Sequence, residues 1–222
     1  MKKYLVILVI LLVGCFPSKK HIFLIGDSIS IEYGPYLKEY TSDFADMERK
    51  ENDGLARSNL DVPMGANGGD SRMVLDYLSY KLQEPDFSPD YVLLNCGLHD
   101  IKRNPQTYEI QISDLTYCHN LVEIIDLLKK KHIQPIWIRT TWVVDSIHNA
   151  KSKAFYRYNA DVCYYNKMAD SICLKHKIPI IDLYTFTVNQ GVEKMRDHVH
   201  YISEAQKEQA EFIANELKRY IK

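Results

Sequence analysis

The chain has 222 residues, of which 46% are hydrophobic and 26% charged, proportions typical of a globular protein. Its formal net charge is -1, so the chain lacks the excess of basic residues that nucleic-acid-binding proteins carry. We therefore expect no nucleic-acid partner. Glycine and proline are too sparse for low-complexity disorder, and a single long apolar run, at the N-terminus, excludes a protein with several membrane spans. We expect one folded domain with a substantial core.

The N-terminal residues have the pattern of a leader of an exported protein. Lys2 and Lys3 precede an apolar run from Tyr4 to Val13, which is too short to span a bilayer comfortably. A positively charged start, a short apolar stretch and a small residue before the cleavage site are typical of a signal peptide. We therefore expect residues 1–14 to be removed.

The residues at the predicted cleavage site resemble a bacterial lipobox. The sequence Leu12-Val13-Gly14-Cys15 implies that Cys15 is lipidated and becomes the new N-terminus, with residues 15–20 as a tether. No aspartate follows Cys15 to imply retention at the inner membrane, so the resemblance implies an exported bacterial lipoprotein of the outer membrane, on its periplasmic or surface face. The lipid alone would hold the domain, residues 21–222, at the membrane. The alternative is a plain secretory signal with a chance cysteine.

Strand-like apolar runs alternate with helix-like stretches through the rest of the chain. The runs are nearly all apolar, as expected of strands that are covered on both faces of a parallel sheet. The predicted long strands are His21–Ile25, Tyr91–Cys96, Ile133–Arg139 and Ile178–Leu183. A short further strand is predicted around Phe44–Met47, within an irregular stretch from 41 to 69.

Helical spacing of apolar residues predicts helices between and after these strands. They are Asp70–Leu82, Thr107–Lys131, Lys151–Lys175 and Ser203–Lys222. The alternation of strands and helices predicts an α/β fold with an open, doubly wound, mostly parallel sheet. In such sheets the reactive groups collect at the carboxyl ends of the strands.

Four short polar blocks fall at those predicted strand ends or helix starts. The first, Gly26-Asp27-Ser28, follows a strand, where a serine hydroxyl is reachable from the crevice, although a turn or helix cap needs the same residues. The second, running from Asn67 to Arg72, places two adjacent glycines at a helix start. Unshielded backbone N–H groups there favour an anion, and the alternative is a glycine loop with Asp70 as helix cap.

The third and fourth blocks each contain histidine. The sequence from Asn95 to Asp100 follows a strand, so a polar donor in it would face the same crevice. In Asp197-His198-Val199-His200, the spacing lets the Asp197 carboxylate hold the Nδ1–H of His200 and leaves Nε2 free. A metal site at His198 and His200 is the alternative, but no further ligand pair has suitable spacing, so we expect no metal.

The order and placement of these blocks resemble those of the SGNH/GDSL hydrolase family, from Phe23 to the final helix. The resemblance implies a three-layer α/β/α sandwich of flavodoxin-like type and ester hydrolysis without a metal or organic cofactor. It implies that Ser28 is the nucleophile, His200 the general base and Asp197 the partner that orients His200. The chain lacks the GxSxG elbow of α/β-hydrolases, which argues against that other class.

The resemblance also implies an oxyanion hole made by the N–H groups of Ser28 and Gly69 and by a side chain of the third block. The family has asparagine where this chain has His99, in Gly97-Leu98-His99-Asp100. An imidazole N–H can donate in place of the amide, but the donor is lost if the facing nitrogen carries no proton. Asn95 is a second candidate for this donor.

Gly-Asp-Ser occurs a second time, at Gly69-Asp70-Ser71. We expect Ser28 and not Ser71 to be the nucleophile, because an apolar strand precedes Ser28. Ser71 instead opens a helix, where Asp70 and Ser71 serve as capping residues.

The expected substrate is a carbohydrate that carries short acyl groups, above all acetyl. Weak candidates for substrate contacts are Asn67, Arg72 and Trp142, of which Trp142 would stack on a sugar ring. A lipase-like or lysophospholipid esterase and an acyltransferase are alternatives within acyl chemistry. A weakly active or non-catalytic glycan-binding lipoprotein is the alternative outside it.

Four cysteines follow Cys15, and their spacing fits no zinc signature. They are Cys96, Cys118, Cys163 and Cys173. Export would permit disulfides between them, but we expect buried free thiols.

Overall fold

The centre of the molecule is a five-stranded sheet in which all neighbouring strands are parallel. The computed structural model describes residues 18–221. The strands are β1 (Lys20–Ile25), β2 (Ala45–Arg49), β3 (Tyr91–Leu94), β4 (Gln134–Ile138) and β5 (Ile180–Ile181), in the order β2-β1-β3-β4-β5. From β1 the chain first adds β2 on one side and then adds β3, β4 and β5 on the other side. A crevice is expected at the carboxyl ends of the strands where this order changes, between β1 and β3.

Helices cover both faces of this sheet. Within residues 18–221 they are α1 (Ser28–Tyr40), α2 (Asp53–Ser58), α3 (Ser71–Lys81), α4 (Asp114–Lys130), α5 (Asp145–Lys151), α6 (Asn159–His176), α7 (Leu183–Gln190) and α8 (Ser203–Tyr220). α1 packs on α8, whereas α3 packs on α4 and α4 on α6, which gives one helical layer on each side. The predicted α/β/α sandwich with a doubly wound parallel sheet is confirmed.

The central strands are buried because apolar residues occupy both of their faces. The last four residues of β1 and of β4 are buried, as are the last three of β3. Edge strand β2 instead alternates buried and exposed residues, and β5 contains only two residues. The predicted strand around Phe44–Met47 exists as β2. Strand β1 is one residue longer than predicted, and the other predicted strands are shorter by one or two residues at one or both ends.

Two predicted helices begin at least seven residues later than their apolar pattern indicated. α4 starts at Asp114 because Ser113 caps it, its hydroxyl accepting from the Thr116 N–H at 3.3 Å. The prediction of a helix from Lys151 is wrong for residues 152–158. There the chain is extended, and Tyr156 pairs antiparallel with Arg103. The spacing of apolar residues did not reveal that pairing, because Arg103 lies far from Tyr156 in sequence.

The four cysteines after Cys15 are all free thiols. Cys96 and Cys173 are buried as expected, and Cys118 is partly buried. The expectation of burial is wrong for Cys163, which lies on the outer side of α6 with its Sγ 3.1 Å from the Tyr184 hydroxyl.

The predicted leader and Cys15 lie outside the described residues. In residues 18–221 no helix combines the length and the apolar character that crossing a bilayer requires.

Candidate active site

Ser28 lies at the junction between β1 and α1. Asp27 caps α1 by accepting the Ile29 N–H at 3.0 Å, so Ser28 is the first helical residue and its own N–H has no partner within the helix. Gly26 precedes this turn, and a Cβ there would lie 3.0 Å from the Ser30 side chain. The Ser28 side chain is thereby held at the carboxyl end of a central strand, with 4% of its surface exposed.

His200 is held by a closed loop between α7 and α8. Met195 and Tyr201 pair antiparallel across this loop, and the Arg196 N–H donates to the His200 carbonyl at 2.8 Å. The tight turn folds Asp197 back so that its Oδ1 accepts the backbone N–H of His200 at 2.9 Å. A spacing of three residues therefore suffices to place the carboxylate beside the imidazole.

The structure brings Ser28, His200 and Asp197 together, although 172 residues separate the first two in the chain. His200 Nε2 lies 2.9 Å from Ser28 Oγ, and His200 Nδ1 lies 2.9 Å from Asp197 Oδ2. Because a carboxylate oxygen only accepts, this network assigns the proton to Nδ1 and makes Nε2 the acceptor of the Ser28 hydroxyl.

The Asp197 carboxylate is strongly favoured in its charged form. Burial alone would raise its pKa, but hydrogen bonds from the His200 ring and from the backbone N–H groups of His200 and Val199 hold the pKa of Asp197 well below its usual range. The negative charge that orients His200 is therefore present throughout the neutral pH range.

The second block is bonded directly to the first. The Gly68 N–H donates to the Gly26 carbonyl at 2.7 Å, which brings the glycine loop beside Ser28. Gly69 has a φ of +73°, in the left-handed region, and a Cβ at this position would lie 2.5 Å from Met73 Sδ. Glycine is thus required there by both backbone conformation and space.

Asn67 engages the donor that Gly69 is predicted to offer. The Gly69 N–H donates to Asn67 Oδ1 at 3.0 Å, and Asn67 Nδ2 donates to the Leu60 carbonyl at 3.3 Å. Buried Asn67 therefore braces its own loop, and an oxyanion would share the Gly69 N–H with it. The predicted roles of Gly69 as oxyanion donor and of Asn67 as substrate contact stay predictions.

His99 is 1% exposed, and its Nδ1 is buried without a hydrogen-bond partner. Burial, followed by the positive charges of Lys102 and Arg157 and by His200, lowers its pKa well below the usual value. The ring is therefore neutral and carries one N–H. A proton on Nδ1 would be an unsatisfied buried donor, so the favoured tautomer carries it on Nε2. Asn95, the second candidate, donates its Nδ2 to the Ile138 carbonyl at 3.0 Å instead.

The serine of the second Gly-Asp-Ser, Ser71, is hydrogen-bonded within a buried polar network. The Ser71 N–H donates to both carboxyl oxygens of Asp100, at 2.9 and 3.1 Å, and Asn120 Nδ2 donates to Ser71 Oγ at 2.9 Å. Among the described residues, the only histidine nitrogen bonded to a serine hydroxyl is that of His200 at Ser28. This geometry favours Ser28, as the strand before it predicted.

We expect Asp100 to make stability depend on pH. Burial raises the pKa of this carboxyl to about 7, against the lowering effect of its hydrogen bonds with Ser71. Since the folded chain binds the proton more tightly than the unfolded chain, this contribution to stability is complete below about pH 4 and is lost as the pH rises to about 7. Asp100→Asn keeps an acceptor oxygen for Ser71 but does not titrate.

Urea unfolding of the parent and of Asp100→Asn at several pH values between 4 and 8 measures this contribution. The unfolding free energy of the variant relative to the parent is expected to increase with pH across that window. A comparison is needed because buried His148, whose pKa is lowered to about 3, contributes the opposite slope in both proteins. A difference that is constant with pH would contradict the prediction.

The remaining weak candidates have other contacts. Arg72 Nε lies 3.8 Å from Asp76 on the exposed side of α3. Trp142 packs partly buried against the core, and its indole N–H is buried without a partner. No described contact joins either of them to Ser28 or His200, so their roles as substrate contacts stay predictions.

Sequence reasoning missed an ion pair that fastens the His200 loop. Buried Glu32 of α1 pairs with Arg196 at 2.7 Å and accepts the Tyr201 N–H at 3.4 Å. Glu32 lies four residues after Ser28, so it shares a helical face with Ser28, and that spacing was the available signal. The pair connects the helix of the serine to the loop of the histidine.

His198 does not join His200 at a metal site. Its Nδ1 lies 2.8 Å from Nδ1 of buried His148, and its Nε2 lies 3.7 Å from the Asp61 carboxylate. In the part of the chain that the structure describes, no group of three or more histidine, cysteine or acidic side chains has the arrangement of a metal site. His198 instead ties the loop before α3 to α5.

A parallel sheet with an alcohol, an imidazole and a carboxylate at its crevice is an arrangement found in serine hydrolases with a three-layer α/β/α fold. The family model of the GDSL-like Lipase/Acylhydrolase family matches residues 24–207, and the chain belongs to this family. The expected SGNH/GDSL membership and the assignment as an ester hydrolase are confirmed.

Solved structures of several acylhydrolases have the same fold. The lipase/acylhydrolase from Enterococcus faecalis is 19% identical, with a TM-score of 0.67 over 91% of this chain and 97% of that chain. A GDSL-like lipase from Bacteroides thetaiotaomicron is 14% identical, with a TM-score of 0.64 over 91% and 89%. The acetyl xylan esterase AlAXEase is 15% identical, with a TM-score of 0.62 over 91% and 100%. No curated protein sequence matches this chain.

Proposed function

We propose that this protein is a serine esterase that removes short acyl groups, above all acetyl, from a carbohydrate. The observation that carries the proposal is the unbroken hydrogen-bonded chain from Ser28 Oγ through His200 to Asp197, with both links at 2.9 Å. Such a chain activates an alcohol for attack on an ester carbonyl at neutral pH.

In the first step His200 Nε2 takes the hydroxyl proton as Ser28 Oγ forms a bond to the ester carbonyl carbon. The carbonyl oxygen becomes an oxyanion, which the N–H groups of Ser28 and Gly69 and the ring N–H of His99 stabilise. Collapse of this intermediate breaks the bond to the sugar oxygen, and His200 gives that oxygen its proton.

In the second step water attacks the acyl-Ser28 ester. His200 takes a proton from the water, a second oxyanion forms in the same place, and the carboxylic acid leaves as the proton returns to Ser28. Asp197 stays ionised throughout and stabilises the His200 cation that forms in each step.

The small exposure of the serine supports a short acyl group. Ser28 and His200 are only 4% and 3% exposed, so little of either residue is open to a large substrate group. An acetyl group fits beside such a recessed hydroxyl, while the alcohol portion of the substrate remains outside. The structural similarity to an acetyl xylan esterase is consistent with this choice.

One observation favours the lipase-like esterase as a second candidate. Exposed apolar side chains lie along the segment that leads to Gly69 and α3: Leu55, Val62, Met64 and Met73. Met73 and Pro63 both lie close to the Gly69 Cα, so this apolar surface borders the predicted oxyanion hole. A longer acyl chain would bury part of it.

The direction of β1 bears on the choice between carbohydrate and membrane lipid. Lys20 begins β1 and Ser28 follows its end, so about 20 Å of strand separates them. A lipid at Cys15 would lie within about 18 Å of Lys20, since only four residues intervene. The anchor would then be at the end of β1 opposite to Ser28, which supports a polymer substrate over lipids of the same membrane.

A panel of acetylated polysaccharides, assayed for acetate release, tests the carbohydrate proposal. A parallel series of p-nitrophenyl esters from acetyl to dodecanoyl tests the acyl length, and we expect kcat/KM to be highest for acetyl. Preference for long chains would establish the second candidate instead. No turnover of any ester, together with specific retention of a glycan, would establish the non-catalytic alternative.

We propose further that the protein is an outer-membrane lipoprotein anchored through Cys15. In a bacterial host, the full-length chain is expected to label with a radioactive fatty acid and to sediment with membranes. Cys15→Ser is expected to abolish the label while leaving exported protein in the soluble fraction. Equal labelling of both chains would contradict lipidation at Cys15.

A further inference from the structure

The proposed reaction leaves one buried charge unexplained, that of Arg157. This residue lies in the extended segment between α5 and α6 and is 2% exposed. The segment is bonded to the chain that follows the third block, because Arg103 and Tyr156 exchange backbone hydrogen bonds at 2.8 and 2.9 Å. Arg157 is thereby held next to His99 and not at the protein surface.

The Arg157 guanidinium has an unusual set of partners. Its Nε donates to the Leu98 carbonyl at 2.6 Å, and its Cζ lies 4.7 Å from the centre of the Phe155 ring. Its Nη1 is buried with no hydrogen-bond partner, and no described carboxylate forms an ion pair with it. Burial lowers the pKa of Arg157 to about 10, so the group still carries its charge at neutral pH.

Asp61 and Asp27 act on Arg157 electrostatically, but neither is in ion-pair contact with it. A buried cation without such a contact is costly, and replacing it with an apolar group is often neutral or stabilising. Packing alone therefore does not explain an arginine here, since a methionine would fill the same space. The contact that distinguishes Arg157 is the one with the peptide that joins Leu98 to His99. That peptide carries the imidazole predicted to stabilise the oxyanion.

We propose that Arg157 is a positioning residue of the oxyanion hole: by holding the Leu98 carbonyl, it orients His99 so that the ring N–H reaches the developing oxyanion. This inference rests on the proposed esterase function. A neutral imidazole offers a single N–H and tolerates little misorientation, whereas the asparagine amide of the family pattern offers two N–H groups. Preorganised donors in a water-excluded site act most strongly where negative charge develops.

The positive charge of Arg157 has a second effect on His99. Together with burial and with Lys102, it disfavours a second proton on the ring. Removing the charge is therefore expected to make His99 easier to protonate, which moves the titration of its ring to higher pH in the Arg157→Met protein. A residue that only fills space would not move that titration.

The test uses the purified protein and p-nitrophenyl acetate, with Arg157→Met, Arg157→Lys and a matched control, Arg103→Met. Arg103 also belongs to the Arg103–Tyr156 pairing, but its described side-chain hydrogen bonds go to Asp161, at 2.7 Å, and to the Tyr108 carbonyl, at 2.9 Å. Arg157→Met is expected to lower kcat by roughly tenfold to a hundredfold, as small misplacements of catalytic groups do, with KM within about threefold. Arg157→Lys is expected to recover part of kcat, and Arg103→Met to keep kcat within about threefold.

Thermal unfolding separates positioning from a purely structural role. If Arg157 positions the oxyanion hole, kcat falls in Arg157→Met while the midpoint of unfolding stays the same or rises. Loss of kcat that only follows loss of folded protein would overturn the proposal. If Arg157→Met does not fold, kcat and the midpoint of thermal unfolding are compared between Arg157→Lys and the wild type instead.

A double-mutant cycle with His99→Ala completes the test. His99→Ala alone is expected to cost about 10²–10³ in kcat, as removal of one oxyanion donor does. Because Arg157 acts through His99, the double variant of His99→Ala with Arg157→Met or Arg157→Lys should have a kcat no more than about threefold below that of His99→Ala alone. Losses that multiply would overturn the role of Arg157, whereas a wild-type protein that hydrolyses no ester would overturn the esterase function itself.

Discussion

Ser28→Ala is expected to remove ester hydrolysis almost completely, lowering kcat by about 10⁴–10⁶, as loss of a nucleophile in a hydrogen-bonded triad does. The physical reason is that no covalent acyl intermediate forms without the Ser28 oxygen, and the remaining N–H donors then act only on direct attack by water. The measurement is steady-state hydrolysis of p-nitrophenyl acetate. Mass spectrometry should also show that a fluorophosphonate labels the wild type and not this variant.

Ser71→Ala is the matched control, because the chain offers the same Gly-Asp-Ser tripeptide twice. Ser71 Oγ accepts only from Asn120 among the described side chains, so its removal leaves that amide short of one acceptor. We expect a cost of roughly 1–3 kcal/mol in the free energy of unfolding and retention of most activity. If Ser71→Ala abolished turnover while Ser28→Ala kept it, the assignment of the nucleophile would be wrong.

Asp197→Asn is expected to lower kcat by about 10⁴ near neutral pH with little change in structure. The asparagine oxygen would accept the backbone N–H groups of Val199 and His200, as Asp197 Oδ1 does now at 2.9 Å. Its amide nitrogen would then face His200 Nδ1 and donate to it. That contact forces the ring proton onto Nε2, where the ring no longer accepts the Ser28 proton.

The chain contains a second carboxylate beside a histidine that serves as the control for this change. Asp61→Asn alters the partner of His198, 3.7 Å away, without touching His200, and activity is expected to stay within about tenfold of the parent. The measurement is kcat/KM between pH 5 and 9 for both variants. Equal and small losses in the two variants would contradict the orienting role of Asp197.

The sequence was sufficient to predict the fold because its signals are local. The apolar runs that became β1, β3 and β4 and the alternating helices predict a parallel sheet without knowledge of any contact. Ser28, Asp197 and His200 could be proposed in the same way, since each lies in a short motif with a characteristic place in such a sheet. The late start of α6 could not be predicted from the sequence, because it depends on the pairing of Tyr156 with Arg103, which is distant in the chain.

Only the tertiary structure decided which polar groups of the site are already engaged. The Gly69 N–H is occupied by Asn67 and the Asn95 amide by the Ile138 carbonyl, and neither contact follows from motif spacing. The amino-acid sequence by itself determined the sheet, the family and the three residues of the proposed triad, because chain order and side-chain chemistry suffice for them. The position of Arg157 behind His99 required the fold, because a contact between residues 59 positions apart depends on how the intervening helices pack.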